Sequence, residues 1–379
     1  MILPAMILPG STIGILGGGQ LGKMLCMKAA QMGYKTHVFV PQADSPASHV
    51  ATLTTVADYE DKAALQSFAE AVNVVTLEFE NIPVFALEAL AERVPVHPAP
   101  QVLYIAQHRG REKAFLSEHG FPLAPFKLID TEADLAAAVE EIGTPAILKT
   151  AGFGYDGKGQ HRVSSLAEAE AAFAELEQQP CVLEAFVDFE REVSVVAARS
   201  EAGELIAYAP IENDHENHIL SLSGIPAELS DALAKRAVQV TKDVLNALNL
   251  VGVMCAEFFV TSAGELILNE LAPRPHNSGH LTIEACAVSQ FEQQLRAVCA
   301  LPLGSTDYLH AAAMVNLLGD VWADGEPDWT RVLEQDNFAL HLYGKAEARL
   351  GRKMGHLTLI GEDGARVKEK ALHVKELLS

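Results

Sequence analysis

The chain has 379 residues, enough for two or three domains at roughly 150 residues each. Hydrophobic residues make up 49% and charged residues 21%, which allows large buried cores and excludes wholesale disorder. With 28 Lys and Arg against 50 Asp and Glu, the net charge is −22, a balance that repels a phosphate backbone and argues against nucleic acid as a partner.

Residues 1–22 carry no Asp, Glu, Lys or Arg. They have no basic leader, and Pro4, Pro9, Gly10 and Gly14 interrupt them, so they suit neither a signal peptide nor a spanning helix. MILPA followed at once by MILPG points to Met6 as the natural start and the first five residues as an extension. No other uncharged run approaches membrane-spanning length. The five cysteines (26, 181, 255, 286, 299) form no C-x-x-C pair, so neither zinc nor a disulfide framework is expected. A cytoplasmic chain with no membrane partner is the expectation.

Residues 12–16 form a short apolar run, 17–19 a glycine turn and 21–32 a helix-period stretch. Apolar runs at 36–40 and 72–77 follow, with a helical pattern at 62–71 between them. Such βαβ alternation predicts a parallel sheet covered by helices. A helix over 109–120 and the breakers Pro122 and Pro125 suggest a boundary near 100–110. The pattern then changes to α+β. Strands are expected at 146–150, 161–163, 181–185 and 193–198, helices at 166–177 and 227–248, and a hairpin at 254–260 and 265–270. After residue 300 the chain reads as short strands and turns, including 338–343 and 356–360.

Gly17-Gly18-Gly19-Gln20-Leu21-Gly22 fits G-x-G-x-x-G between a strand and a helix, where backbone amides can bind phosphate. The acidic residue that a dinucleotide site wants after the second strand is missing, since Pro41 and Gln42 stand there. A phosphate-bearing ligand other than NAD is the favoured reading, a structural turn the plain one. The second loop, Gly152 to Gly159, has four glycines around Tyr155, Asp156 and Lys158. It fails as a P-loop because Gly159 has no hydroxyl and a strand, not a helix, follows. It reads as a lid that folds over nucleotide phosphates.

In the hairpin, pairing Val260 with Glu265 sets Glu257 opposite Leu268 and makes Glu270 a diagonal neighbour on the same face. Two carboxylates so placed repel unless a cation lies between them, and hard oxygen donors suit Mg²⁺. Asn269 then points to the other face, unless a bulge intervenes. The loop Pro273 to His280 supplies Arg274 and His276 for an anionic substrate. Lys345, Arg349, Arg352 and Lys353 concentrate positive charge in an acidic chain, either as an anion site or as a solvated basic face.

Taken together, GGGQLG after a strand, the lid GFGYDGKGQ, the segment EAFV at 184–187, the run LNELAPRPHNSGH and the late GRKMGH resemble the ATP-grasp enzymes. Within them the resemblance is to the N5-carboxyaminoimidazole ribonucleotide synthetases of purine biosynthesis. It spans residues 12–359. It implies a Rossmann-like N-terminal domain (1–108), a central ATP-grasp domain (109–302) and a small, mostly-β C-terminal domain (303–379). It further implies a carbon–nitrogen ligase that makes carboxyphosphate from ATP and bicarbonate and passes the carboxyl to 5-aminoimidazole ribonucleotide. ATP and Mg²⁺ are the implied cofactors, with two ions and Mn²⁺ as a substitute, and a homodimer the implied assembly. By motif position, ATP would be held by Arg109, Lys113, Lys149, Gly154, Tyr155, Asp156, Gly157, Lys158, Gly159, Gln160, Glu184, Ala185, Phe186, Val187, Glu192, His215, Asn269 and Glu270. Glu257 and Glu270 would bind the metal. Gly19, Gln20, Leu21, Lys345, Arg352, Lys353 and Glu78 (or its rival Glu80) would bind the ribonucleotide. Tyr155, Asp156, Arg274, His276 and Lys345 would surround the transferring carboxyl. A formate-dependent glycinamide ribonucleotide transformylase or another ATP-grasp ligase is the nearest alternative, and a non-catalytic nucleotide sensor is a different class.

Overall fold

The computed structural model describes residues 5–152 and 159–378. Its N-terminal sheet contains β1 (Thr12–Leu16), β2 (Lys35–Val40), β3 (Leu53–Val56) and β4 (Val74–Leu77). All pairings are parallel and the order is β3-β2-β1-β4. Helix α1 (Gln20–Gln31) follows β1, and α2 (Lys62–Glu70) separates β3 from β4. Asp61 caps α2 by accepting the N–H groups of Ala63 and Ala64. β3 is not anticipated by the sequence reading. LTTV carries no apolar run, and the strand pairs only as a sheet edge.

Helices α3 (Val84–Ala91) and α4 (Pro100–Ala106) lead to α5 (Arg109–Glu118), which opens the central region. A small antiparallel sheet, ordered β5-β8-β6-β7, comprises β5 (Phe126–Ile129), β6 (Ala146–Thr150), β7 (Gln160–Val163) and β8 (Cys181–Ala185). Helices α6 (Glu132–Ile142) and α7 (Leu166–Glu175) cover it through Leu135, Ala138, Ala169 and Phe173. Thr131 and Asp134 close a reciprocal capping box at the start of α6.

The large sheet is built from β9 (Phe189–Arg199), β10 (Leu205–Ala207), β11 (Ile211–Glu216), β12 (Ile219–Ile225), β13 (Gly252–Thr261) and β14 (Leu266–Ala272). Helix α8 (Asp231–Ala247) packs Ala237, Val240 and Val244 against it. Helices α9 (Thr282–Ala285) and α10 (Gln290–Val298) precede β15 (Ala311–Leu318). Then come α11 (Trp329–Leu333), β16 (Phe338–Leu342), β17 (Lys353–Gly361) and α12 (Gly364–Glu376). β15 pairs with β12, so the order β14-β13-β9-β11-β12-β15-β17-β16 runs unbroken past residue 303. The sequence reading singles out neither β15 nor α12. AAAMVNLL has no period that separates strand from buried helix.

The hairpin register expected from the sequence is corrected by the structure. Val260 pairs with Leu266 rather than Glu265, because the turn takes one more residue. A bulge then sets Glu257 directly opposite Glu270, leaving Asn269 as the extra residue. Helix α5 takes up the backbone groups at the irregularity. Lys113 Nζ donates to the Asn269 carbonyl at 3.2 Å, and Glu112 Oε2 accepts the Leu271 N–H at 3.3 Å. The two carboxylates therefore face each other across the ladder instead of diagonally.

Phe258, next to Glu257 and 1% exposed, anchors β13 in the core beneath α8. Phe258→Ala should lower unfolding free energy by about 3–5 kcal/mol. The 41% exposed Phe85 should cost less than about 0.5 kcal/mol on the same change. Urea unfolding followed by circular dichroism checks both values.

Candidate active site

A cavity of about 840 Å³ opens between the N-terminal sheet, the small sheet and one face of the large sheet. Its first wall carries Gly19, Gln20, Leu21, Glu78 and Glu80. Helix α1 has no side-chain cap of its own. Glu78, 6% exposed at the end of β4, accepts the Gly19 N–H at 2.7 Å and the Gly22 N–H at 3.2 Å. The anion on these amides is thus the protein's own carboxylate rather than a ligand phosphate. Gly17 has φ +102°, and a Cβ there would stand 2.6 Å from Glu78 Cγ. The glycines admit the carboxylate. Burial pushes the Glu78 carboxyl up, while the two amides, Arg274 and Lys345 pull it back.

The second wall belongs to the small sheet, with Lys149 on β6, Gln160 on β7, and Glu184, Ala185, Phe186 and Val187 at the end of β8. Glu184 is 4% exposed, and its Oε2 takes Lys113 Nζ at 3.1 Å and Lys149 Nζ at 3.2 Å. Burial opposes its charge, but the two ammonium groups prevail and hold the carboxyl below the usual range. Its Oε1 is buried and has no hydrogen-bond partner among the described residues. Arg162 stacks over the Phe186 ring at 4.3 Å.

The third wall is the large sheet and the ends of its neighbours. Arg109, at the start of α5, has Nη2 3.9 Å from Glu270 Oε2. His215 Nδ1 lies 3.1 Å from Glu192 Oε2. Glu257 meets His276, Oε1 to Nε2, at 3.0 Å. Burial would raise the Glu257 carboxyl, yet His276, with His215 and Lys353 beyond it, holds it at about 2. Burial would lower His276, but Cys255 and Glu257 bring it to about 10. Glu257 Oε1, 3.0 Å from His276 Nε2, is the anionic partner that favours the charged imidazole. Glu270 is different. Its side chain is 49% accessible against 15% for Glu257, and burial of its surroundings and Glu257 itself push its carboxyl up. Glu257 has its cation at 3.0 Å, whereas Glu270 faces the cavity with Arg109 at 3.9 Å. Arg274 spans to Glu80 at 2.5 Å.

Three family models match the chain: a ribonucleotide synthetase preATP-grasp domain over residues 10–107, an ATP-grasp domain over 114–291, and a phosphoribosylaminoimidazole carboxylase C-terminal domain over 312–370. An N5-carboxyaminoimidazole ribonucleotide synthase from Brucella melitensis is 51% identical over 93% of this chain and 97% of its own length. The chain belongs to the N5-carboxyaminoimidazole ribonucleotide synthase family of ATP-grasp proteins. The crystal structure of the Thermus thermophilus synthetase superposes with a TM-score of 0.89 at 43% identity, covering 97% of this chain and 98% of that one. That of the Aspergillus clavatus synthase, in complex with ADP and 5-aminoimidazole ribonucleotide, gives a TM-score of 0.89 at 30% identity, covering 97% and 98%.

Of the residues singled out on resemblance to this synthase family, the cavity gathers Gly19, Gln20, Leu21, Glu78, Arg109, Lys149, Gln160, Glu184, Ala185, Phe186, Val187, Glu192, His215, Glu257, Asn269, Glu270, Arg274, His276 and Lys353. Four sit outside its lining. Lys113 is 2% exposed beneath the wall, between Glu184 and the bulge. Gly159 accepts the Thr150 N–H at 2.8 Å. Lys345 donates to the Lys353 carbonyl at 2.6 Å and lies over the Tyr343 ring. Arg352 donates to the Glu347 carbonyl at 2.8 Å. Gly154, Tyr155, Asp156, Gly157 and Lys158 lie outside the described residues. Sequence reading missed Glu112, which lines the cavity and whose carboxyl burial pushes up to about 8 against the pull of Lys113. Its place three residues after Arg109, on one helical face, was the available signal. Among the described residues no helix is long and apolar enough to cross a membrane.

Lys113 serves two partners, so Lys113→Met should cost about 1–3 kcal/mol of stability, because the Asn269 carbonyl loses its donor and Glu184 keeps only Lys149. Lys127, an exposed lysine paired to Glu141, should cost under about 1 kcal/mol on the same substitution. Equilibrium unfolding of the two variants makes the comparison.

Proposed function

We propose that this chain carboxylates the exocyclic amine of 5-aminoimidazole ribonucleotide at the expense of ATP, forming N5-carboxyaminoimidazole ribonucleotide in purine biosynthesis. It is an ATP-grasp ligase. The observation that carries the reading is one cavity joining three walls: the Glu78-clasped glycine loop, the Lys149–Glu184 strand ends, and the Glu257–His276 pair beside Glu270. The first wall suits the ribonucleotide and the second the nucleotide. Glu184 Oε1, buried without a hydrogen-bond partner among the described residues, is an acceptor for an adenine amine, and Lys149 and Arg109 bring positive charge toward the phosphates.

In this proposal the carbon source is bicarbonate. Its oxygen attacks the γ-phosphorus of ATP, releasing ADP and leaving carboxyphosphate. The amine nitrogen then attacks the carboxyl carbon of carboxyphosphate, the bond to the phosphate oxygen breaks, and inorganic phosphate departs as the amine gives up a proton.

 Water would hydrolyse that mixed anhydride, so the site must close before it forms. The lid bearing Tyr155 and Asp156 is the segment assigned to closure, and Asp156 accepts the proton lost by the amine. Arg274, His276 and Lys345 surround the transferring carboxyl, where fixed positive charge offsets the charge that builds on its oxygens. Lys353 and Arg352 take the ribonucleotide phosphate.

The donor set at Glu257 and Glu270 fits Mg²⁺, with Mn²⁺ as a substitute. Among the described residues no cluster of three His, Cys, Asp or Glu side chains could hold a metal alone. A hard cation bound by one or two carboxylates completes its shell with nucleotide phosphates and water. When bound it would neutralise phosphate charge, and Glu270, whose paired cation Arg109 stands 3.9 Å away and whose side chain is half open to the cavity, would be a ligand. The homodimer and the cytoplasmic location implied by the family belong to the same proposal.

ADP release from Mg·ATP should rise strongly only when bicarbonate and 5-aminoimidazole ribonucleotide are both present, with labelled bicarbonate entering an acid-labile product. A response to formate and glycinamide ribonucleotide instead would replace this reading with the transformylase. Glu270→Gln should lower kcat by about a hundredfold or more, checked by the same assay across a magnesium titration. Asp156→Asn should abolish carboxylation and leave ATP affinity nearly intact by calorimetry. Loss of that affinity would remove Asp156 from the proton step.

A further inference from the structure

Helix α10 carries Gln290, Gln293 and Gln294, all 0% exposed. A buried carboxamide is costly unless both its donor and its acceptor are paired. Gln290 finds its partners in the loop that bears His276. Its Oε1 accepts the His276 N–H at 2.8 Å, and its Nε2 donates to the His276 carbonyl at 2.7 Å. One side chain thus closes on both backbone polar groups of one residue, as a neighbouring strand would. The same Nε2 lies 3.2 Å from His280 Nδ1, and the Gln290 N–H donates to Thr282 Oγ1 at 3.0 Å. A Cβ on Gly279 would collide with the Gln290 carboxamide, so the loop is fitted to this side chain.

The platform under Gln290 is tied to both walls of the cavity. Phe291, Leu295 and Val298 of α10 share a core with Ile13, Ile15 and Val74 of the N-terminal sheet. Gln294 Nε2 donates to Thr76 Oγ1 on β4 at 2.8 Å, and its Oε1 accepts the Val253 N–H on β13 at 2.5 Å. With its backbone gripped, His276 holds its imidazole at both nitrogens, Nε2 toward Glu257 at 3.0 Å and Nδ1 toward Ser278 Oγ at 2.8 Å.

We infer that Gln290 is a positioning residue for carboxyl transfer, setting the His276 imidazole against Glu257 while lying outside the cavity lining itself. The inference rests on the reading of His276 as part of the transfer wall. A shift of about 1 Å in a positioned group can cost roughly a hundredfold in rate, so the grip has leverage on turnover without touching substrate.

The test is a double-variant cycle with Gln290→Met, which keeps length and loses the amide's donor and acceptor, and His276→Ala. Gln290→Met should lower kcat about tenfold or more and leave the KM for ATP within about twofold. In the His276→Ala background the same change should have almost no further effect. An equal loss in both backgrounds overturns the inference, because Gln290 would then act by another route. If Gln290→Met does not fold, Gln290→Glu, which keeps the acceptor for the His276 N–H, runs the same cycle. The imidazole ¹⁵N signals of His276 give a readout independent of turnover. They should change in the Gln290 variant, and unchanged signals refute the inference. Absence of any turnover by the unaltered protein would instead defeat the proposed reaction and leave the ¹⁵N comparison to decide this point.

Discussion

Two carboxylates face each other across β13 and β14, and much of the site is arranged around the repulsion between them. Glu257 is compensated from inside the protein by His276, at 3.0 Å. Glu270 has Arg109 only at 3.9 Å and half its side chain open to the cavity. Complete internal compensation of both would leave no electrostatic demand for a cation, and compensation of neither would cost too much folding energy. The asymmetry keeps one carboxylate fixed and the other available. It depends on the bulge at Asn269, which brings the pair face to face, and on Lys113 and Glu112 of α5, which take up the backbone groups there.

The same economy of charge shapes the opposite wall. A helix start rich in backbone donors usually attracts an anion. Here Glu78 supplies it, and the glycines around it leave room for a carboxylate that side chains would exclude. The loop is thereby stiffened before any ligand arrives. Helix α10 then links this wall to the other, through Gln294 between Thr76 and Val253 and through Gln290 at His276.

Several elements were legible in the sequence to the residue: β1, β6 and β8 are short apolar runs closed by turns. β3 was not, because an edge strand of mixed exposure needs no apolar pattern. β15 and α12 were missed where composition allows strand and helix alike. In the site, the shared face of Glu257 and Glu270 followed from alternation along a hairpin. Their true register did not, because the groups that stabilise the bulge lie on a helix some 150 residues earlier in the chain.

The sequence by itself determined the alternation of elements, the glycine loops, the carboxylates of the hairpin and the family-specific runs, because each is written in neighbouring residues and needs only local geometry. Tertiary structure alone decided which anion fills the first glycine loop, which hairpin carboxylate keeps a cation, and that Lys113 lies beneath the cavity wall. It also decided that buried glutamines grip the His276 loop. Each of these depends on a partner distant in the chain, and charge in a low-dielectric interior takes its value from whatever packs beside it.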